Sequence, residues 1–317
     1  MAKLLIIRRN RLGDAISVLP WLQGLKITKP ELEIDILTNP YASAVFERCE
    51  VVRKVFVLPE KHLGTPLGLL FHPVLRQIRR KKKYEFVVNA SYSFSTKASI
   101  LAYFVPGQKK VGVVSKNKKH VDKVWTHPVD QRDDIQAYHQ VRRIAYIGDV
   151  IGLHANTLPE AKLMNKNNST QAIGLCPVVN RSQSRWIDAH WLDLEKKLKQ
   201  MGFPIIWLGA KPVRAISEHV ELKSTREFLN AVEMCGMLIC CEGGASHVGP
   251  ALGVPTIILS GMAVRNTWIP WSRRAVLLEQ ENVNKFTAYD VIEQIQWWAQ
   301  YAAFKPKANA FINELIL

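Results

Sequence analysis

The feature that most constrains this chain is an alternation of short apolar runs with helical patterns that proceeds through the first half and then starts over. Strand-like Lys3–Arg8 (KLLIIR) precedes a helical stretch from Ala15 to Lys26. Strand-like Leu32–Leu37, a short helix near Tyr41–Cys49 and strand-like Val52–Leu58 come next. A helix over Leu67–Lys82 leads to Glu85–Ala90 (EFVVNA), and a helix near Thr96–Phe104 leads to Lys110–Val114 (KVGVV). Apolar runs this short, spaced by helix-length patterns, predict a parallel sheet covered by helices on both faces.

A helix over Asp133–Gly152, closed by its glycine, ends this series. Polar, proline-containing His154–Thr170 lacks periodicity and is expected to link residues 1–153 to residues 171–317. The alternation then resumes with strand-like Ala172–Cys176, a helix over Ala189–Met201 and strand-like Pro204–Leu208. Two short helical patterns run to Cys235. Met237–Cys241 (MLICC), a helix over Ala245–Leu252, strand-like Pro255–Leu259 and a long helix over Thr287–Phe304 complete it. At 317 residues the chain exceeds what one compact core usually holds, so two successive Rossmann-like domains fit better than one large sheet.

Charge is unevenly spread between these halves. Residues 1–150 hold 26 lysines and arginines against 13 acidic residues, whereas residues 151–317 hold 17 against 14. A basic field in one half attracts an anionic partner such as nucleic acid, an anionic membrane surface or a phosphorylated glycolipid. Its densest part is Arg79-Arg80-Lys81-Lys82-Lys83, with Lys109, Lys110 and the Lys-rich stretch Val114–Asp133 behind it. That stretch is expected to order on binding a partner, although a solvated helix end and a flexible loop account for these residues equally well. No apolar run approaches the length of a membrane span, and no secretory signal is expected. Five cysteines without metal-type spacing read as buried thiols of a reducing cytoplasm.

Three turns after strands carry candidate chemistry. The first is Arg8-Arg9-Asn10-Arg11-Leu12-Gly13-Asp14. Ligands of open α/β sheets bind beyond the carboxyl ends of strands, so Asp14 is placed to face a cleft. Asp14 also suits the N-cap of a helix starting at Ala15, and from these residues alone the cap is the simpler reading. The second is Cys241-Glu242-Gly243-Gly244-Ala245-Ser246-His247. Paired glycines before a helix let a phosphate approach backbone amides at the positive end of the helix dipole. A purely structural strand–helix turn has the same look. The third is Asn180–Trp191 (NRSQSRWIDAHW), where Arg185 can donate two hydrogen bonds to a diphosphate and the tryptophans read as packing anchors.

Together and in this order, the three segments resemble glycosyltransferase family 9, the ADP-heptose:lipopolysaccharide heptosyltransferases. MAKLLIIRRNRLGDAISVLPWLQGLK is similar to the family's N-terminal strand, Gly-Asp turn and proline-containing helix. SRWIDAHWLDLEKKL resembles its Lys-x-Trp loop and helix. CEGGASHVGPALGVPTIILSG is similar to its Asp-Ser/Thr-Gly-x-x-His strand–turn–helix–strand segment. The resemblance implies a GT-B fold, two Rossmann-like domains facing each other across a cleft, and an inverting transfer without metal or other cofactor.

By position, the resemblance makes Asp14 the catalytic base. It puts Arg185, Glu242, Gly243, Gly244 and His247 on the nucleotide-sugar donor, ADP-heptose. The anionic lipopolysaccharide core acceptor falls to the basic first half, where Arg11, Arg79, Arg80, Lys81, Lys82 and Lys83 are the candidates. The protein would then work in the cytoplasm, in peripheral contact with the inner membrane and without nucleic acid. Three departures from the family pattern stand out: Glu242 for aspartate, Arg185 for lysine, and Leu259–Trp271 (LSGMAVRNTWIPW) for a Phe-Gly-Pro-Thr run. They keep open a family member using another nucleotide sugar for core or capsule. A sugar-nucleotide epimerase and a basic nucleic-acid-binding protein are further alternatives. The latter is disfavoured because the basic residues are not interleaved with a recognition motif.

Overall fold

The computed structural model describes residues 1–63, 66–81, 84–117, 119–165, 170, 172–179, 181–261 and 267–302. The chain divides into two compact units, Met1–Ala161 and Lys162–Leu317. In the first, β1 (Lys3–Ile7), β2 (Glu33–Thr38), β3 (Lys54–Val57), β4 (Tyr84–Asn89), β5 (Gly107–Val113) and β6 (His127–Val129) form a sheet ordered β3-β2-β1-β4-β5-β6. Each neighbouring pair is parallel. Its helices are α1 (Leu12–Ile16), α2 (Leu19–Thr28), α3 (Pro40–Glu47), α4 (Pro66–Phe71), α5 (Pro73–Lys81), α6 (Thr96–Phe104), α7 (Asp133–Gln136) and α8 (Gln140–Asp149).

The second unit is built from β7 (Ile173–Cys176), β8 (Ile205–Leu208), β9 (Glu218–Val220), β10 (Met237–Cys241), β11 (Thr256–Ser260) and β12 (Ala275–Glu279), ordered β12-β11-β10-β7-β8-β9. These pairs too are parallel. The helices α9 (Asp188–Gln200), α10 (Thr225–Glu233), α11 (Gly244–Ala251) and α12 (Ala288–Ala302) belong to it. Counted from each unit's own first strand, both sheets have the doubly wound order 3-2-1-4-5-6. The expected α/β class with two Rossmann-like units is therefore what the chain adopts. Among the described residues no helix is long and apolar enough to cross a membrane.

The central strands form because both of their faces are covered. Leu4, Leu5 and Ile6 of β1 and Leu238, Ile239 and Cys240 of β10 are wholly buried. Trp186, Trp191 and Trp207 anchor the second core, edge against face at 4.9 and 5.9 Å between ring centroids. All five cysteines are buried and unpaired.

Several elements differ from expectation, for identifiable reasons. The helix expected over Ala15–Lys26 is α1 and α2, broken ahead of Pro20, which has no N–H for the previous turn. The helix expected over Leu67–Lys82 is α4 and α5, broken before Pro73, and Lys82 lies outside the described residues. Asp133–Gly152 breaks at His139, whose side chain caps α8 by accepting from Val141 N–H. Strands β6, β9 and β12 were not expected. Each lies at the edge of its sheet, with one strand neighbour and partly exposed residues; β6 and β9 carry no continuous apolar run, whereas β12 does (AVLL). The long C-terminal helix ends at Ala302, and the two further residues expected in it lie outside the described residues.

In the stretch expected as a linker, described residues bond to the unit each belongs to. The N–H of Asn156 donates to Thr28 Oγ1 at 3.1 Å, and that of Leu163 to the Ala251 carbonyl at 2.8 Å. A Cβ on Gly24 would stand 2.0 Å from the Thr157 carbonyl oxygen, so the glycine in α2 is what lets this backbone close in. Residues 166–169 of the stretch lie outside the described residues.

Candidate active site

In each unit the strand order reverses between the first strand and its neighbour, and the carboxyl ends there are where such sheets bind ligands. In the first unit this switch point lies between β1 and β4, where Ile7 pairs with Asn89. The chain leaving β1 is tied down at once. Arg8 N–H donates to the Leu37 carbonyl at 3.1 Å, and the Arg8 carbonyl accepts from Thr38 Oγ1 at 2.6 Å. Asn39 Nδ2 donates to the Arg9 carbonyl at 2.7 Å. Arg9 itself bonds the Thr38 carbonyl and Glu60, which Lys97 also holds at 2.9 Å.

This rigid exit delivers Asp14. Helix α1 starts at Leu12 with Arg11 as its N-cap residue, so Asp14 sits inside the first turn. The structure thus sets aside the reading of Asp14 as an N-cap and leaves its carboxylate for another purpose. Arg8 Nη2 donates to Asp14 Oδ1 at 2.8 Å, and Arg8 Nε donates to the Asp14 carbonyl at 3.0 Å. The arginine side chain is fully buried, while that of Asp14 is 20% exposed. Burial draws the Arg8 guanidinium below its usual range, and the charge of Asp14 opposes that shift. Sequence reasoning left Arg8 off the site; a charged residue ending a buried strand is the signal it offers. Asn89, buried at the end of β4 with no partner for its Nδ2 among the described residues, was also missed.

The remaining basic candidates separate. Arg11 is exposed beside Asp14, and its charge is felt at the Tyr41 hydroxyl. Arg79 and Arg80 end α5, which leads directly into the amino end of β4. Asp14 follows the carboxyl end of the neighbouring strand, so the two groups lie at opposite ends of the sheet, roughly 20 Å apart for a six-residue strand. Lys81 closes α5, and Lys82 and Lys83 lie outside the described residues. In the Lys-rich loop after β5, described residues are held by local bonds. Asp122 Oδ2 accepts from Ser115 Oγ at 2.7 Å and Lys119 N–H at 2.8 Å, and Lys119 Nζ lies 5.5 Å from the Phe94 ring centre.

In the second unit the switch point lies between β7 and β10. The loop after β7 passes through a 3-10 turn at Ser182–Ser184 to Arg185 and Trp186. Trp186 and Trp191 are fully buried, and Trp186 Nε1 donates to the Phe286 carbonyl at 3.0 Å, so they are the packing anchors of the loop. Arg185 is held differently. Its side chain is 63% exposed and tethered by a surface ion pair to Asp188 at 3.1 Å, a weak restraint that leaves the guanidinium available.

The turn after β10 faces this loop. Ser184 Oγ donates to Glu242 Oε2 at 3.4 Å, so the residue before Arg185 touches the residue before the paired glycines. Gly243 caps α11, and Ser246 Oγ closes the turn on the Gly243 carbonyl at 2.7 Å. A Cβ added at Gly243 would meet nothing within 4 Å, so the turn opens onto free space. The amides opening α11 have no partner within the helix and are ready anion donors. His247 lies one turn in, half-buried, and desolvation pushes its pKa down to about 4. Its ring is neutral at pH 7 and offers a hydrogen bond rather than a charge. The structure thus sets the loop that carries Arg185 against the Glu242-Gly243-Gly244 turn, with His247 in the first turn of α11, and the contact is made by Ser184, which sequence reasoning had missed.

The family model for glycosyltransferase family 9 (heptosyltransferase) matches residues 72–295. Lipooligosaccharide heptosyltransferase 2 of Haemophilus influenzae is 20% identical over 311 residues, covering 87% of this chain and 88% of that protein. Among solved structures, the E. coli heptosyltransferase WaaC with ADP is similar at a TM-score of 0.75 and 15% identity, over 93% of this chain and 99% of that one. The family 9 glycosyl transferase of Veillonella parvula is similar at a TM-score of 0.77 and 16% identity, over 93% and 96%. The fold they share with this chain is GT-B.

Proposed function

The chain belongs to glycosyltransferase family 9, a glycosyltransferase of the heptosyltransferase type, and we propose that it transfers a heptose from ADP-heptose to an anionic lipopolysaccharide inner core with inversion. The observation that carries this reading is the division of chemistry between two equivalent switch points. One holds a fixed carboxylate, and the other holds an open glycine turn beside an available arginine.

In this mechanism Asp14 takes the proton of an acceptor hydroxyl as its oxygen attacks the anomeric carbon from the face opposite the nucleotide. The bond from that carbon to the diphosphate breaks, and its electron pair leaves with the nucleoside diphosphate. Charge building on the diphosphate is met by Arg185, the amides at Gly243 and Gly244, and the neutral His247. Preorganised donors of this kind can lower a barrier by about 3 kcal/mol each. The transfer therefore asks no metal of the protein. ADP in the similar E. coli structure supports an adenosine diphosphate leaving group. Glu242, one methylene longer than the family's usual aspartate, would face the donor sugar.

Arg11 beside Asp14 would meet the acceptor near the reacting hydroxyl. Arg79, Arg80 and Lys81, at the other end of the sheet, are better suited to the anionic membrane surface that carries the acceptor. The place of work is then the cytoplasmic face of the inner membrane. Residues 1–153 would serve the acceptor, 154–170 the link and 171–317 the donor.

Purified protein offered a panel of nucleotide sugars, with and without a core acceptor and with and without chelator, tests the reading. Transfer from ADP-heptose that survives chelation is expected. Transfer only from a UDP- or GDP-sugar would make it the alternative family member. Conversion of the sugar without acceptor would make it an epimerase. Steeply salt-dependent DNA binding without transfer would make it a nucleic-acid-binding protein.

A further inference from the structure

We propose that Arg8 is a positioning residue that clamps Asp14 by main chain and side chain together and so presents one carboxylate oxygen, Oδ2, to the reacting hydroxyl; the inference rests on Asp14 being the base. The guanidinium spans two groups of one residue, with Nε on the Asp14 carbonyl at 3.0 Å and Nη2 on Oδ1 at 2.8 Å. A planar fork held at both points fixes the rotamer of Asp14 and the plane of its carboxylate. The clamp cannot drift, because Arg8 is itself pinned to β2 at both its N–H and its carbonyl. Ser17 Oγ adds a second donor, 2.8 Å from the same Asp14 carbonyl.

The cost of this arrangement argues against a merely structural role. Arg8 is fully buried, and its Nη1 has no partner among the described residues. An apolar side chain of similar volume would hold a loop without burying a charge and an unmet donor. A buried guanidinium is suited to a carboxylate whose direction matters. Asp14 shows the matching asymmetry: Oδ1 is taken by Arg8, the side chain keeps 20% of its surface open, and Oδ2 accepts no hydrogen bond from the described residues. The open oxygen is the one left to receive a proton. Lysine at position 8 would keep the charge and lose the fork.

A double-mutant cycle on transfer kinetics decides the matter. Arg8→Met, Arg8→Lys, Asp14→Asn and the Arg8→Met/Asp14→Asn pair are each checked for cooperative melting and for affinity toward ADP. Arg8→Met is expected to lower kcat on the order of 10²-fold, the cost of a small misplacement of a reacting group. The KM for nucleotide sugar and the ADP affinity should stay near wild type. Within Asp14→Asn, adding Arg8→Met should cost little more, because nothing is left to position. Arg8→Lys should fall between Met and wild type. Equal losses in both Asp14 backgrounds, or wild-type kcat in Arg8→Met, overturn the clamp while the base reading stands. Near-normal transfer by Asp14→Asn removes the base reading, and the clamp with it. Should Arg8→Met fail to fold, Arg8→Lys carries the test: lower kcat at unchanged nucleotide KM supports the clamp, and wild-type kcat overturns it.

Discussion

The two switch points occupy the same place in sheets of the same strand order, yet they are built in opposite ways. Between β1 and β4 side chains are fixed: a buried arginine grips Asp14, and the carbonyls of Arg8 and Arg9 are bonded to Thr38 and Asn39. Between β7 and β10 the turn is stripped to glycine and opens onto free space, with Arg185 exposed beside it. On the proposed function, the contrast matches what each site would hold. A base acts along one direction and gains from a rigid carboxylate. A diphosphate is bound through backbone amides, so the protein must first remove the side chains that would keep it away. On that reading one architecture would serve two chemistries by exchanging side-chain fixation for backbone exposure.

The sharpest way to break this comparison is Asp14→Asn. Asparagine has nearly the same shape but cannot take a proton, so transfer should fall roughly 10²–10⁴-fold while cooperative folding and nucleotide affinity hold, with a lower melting temperature because the buried Arg8 loses its countercharge. Near-normal transfer would leave the locked site without a catalytic purpose. Next in size, replacing Arg79, Arg80 and Lys81 with glutamate should weaken binding to anionic vesicles by roughly 10²-fold at low salt, at about 1 kcal/mol per basic residue near the surface. Salt should shrink the loss, and ADP affinity should not change. A parallel loss of transfer to a lipid-free acceptor would mean that this run serves the first site after all.

Arg185→Ala sharpens the comparison from the second side. Loss of one charge-assisted donor, worth about 1.5–3 kcal/mol, should weaken nucleotide binding roughly 10- to 100-fold. Gly244→Val should act in the same direction by blocking the amides. Unchanged affinity in both variants would reduce the glycine turn to a structural connection. The smallest effect concerns His247, whose folded pKa of about 4 lies below the ordinary histidine value. Between those two values the unfolded chain binds a proton that the folded chain refuses, so stability falls as pH drops through that window. His247→Gln should therefore lose less melting temperature on acidification than wild type. In wild type, nucleotide affinity should not track a histidine titration near pH 6.5. A titration there would mean that the second site uses a cationic imidazole.

Much of the architecture was legible because central strands of a doubly wound sheet are apolar along their whole length. KLLII and MLICC announce β1 and β10 without ambiguity. Two edge strands announced nothing: Glu218–Val220 and His127–Val129 mix charge, histidine and proline with single apolar residues and are strands by virtue of one neighbour, whereas edge strand β3 shows its apolar residues. Helix breaks were written in the sequence at Pro20 and Pro73 and were passed over because the periodicity ran through them.

Of the candidate sites, the glycine turn and Arg185 read equally as a structural turn and an exposed loop from the residues alone, and it is the family resemblance that singles them out. By itself the sequence determined the two-fold repetition of a Rossmann-like pattern, the basic first half and the position of three strand-end turns. Those are properties of periodicity, composition and short spacing. Tertiary structure decided which residues act together. Arg8 reads as one more basic residue until burial shows that it grips Asp14, and Ser184 reads as a loop serine until the pairing of β7 with β10 sets it against Glu242. The ends of α5 and β1 are both basic, and only sheet direction places them at opposite ends. Which groups meet is set by strand order and the enclosure of a charge, and neither is encoded in the spacing of neighbours along the chain.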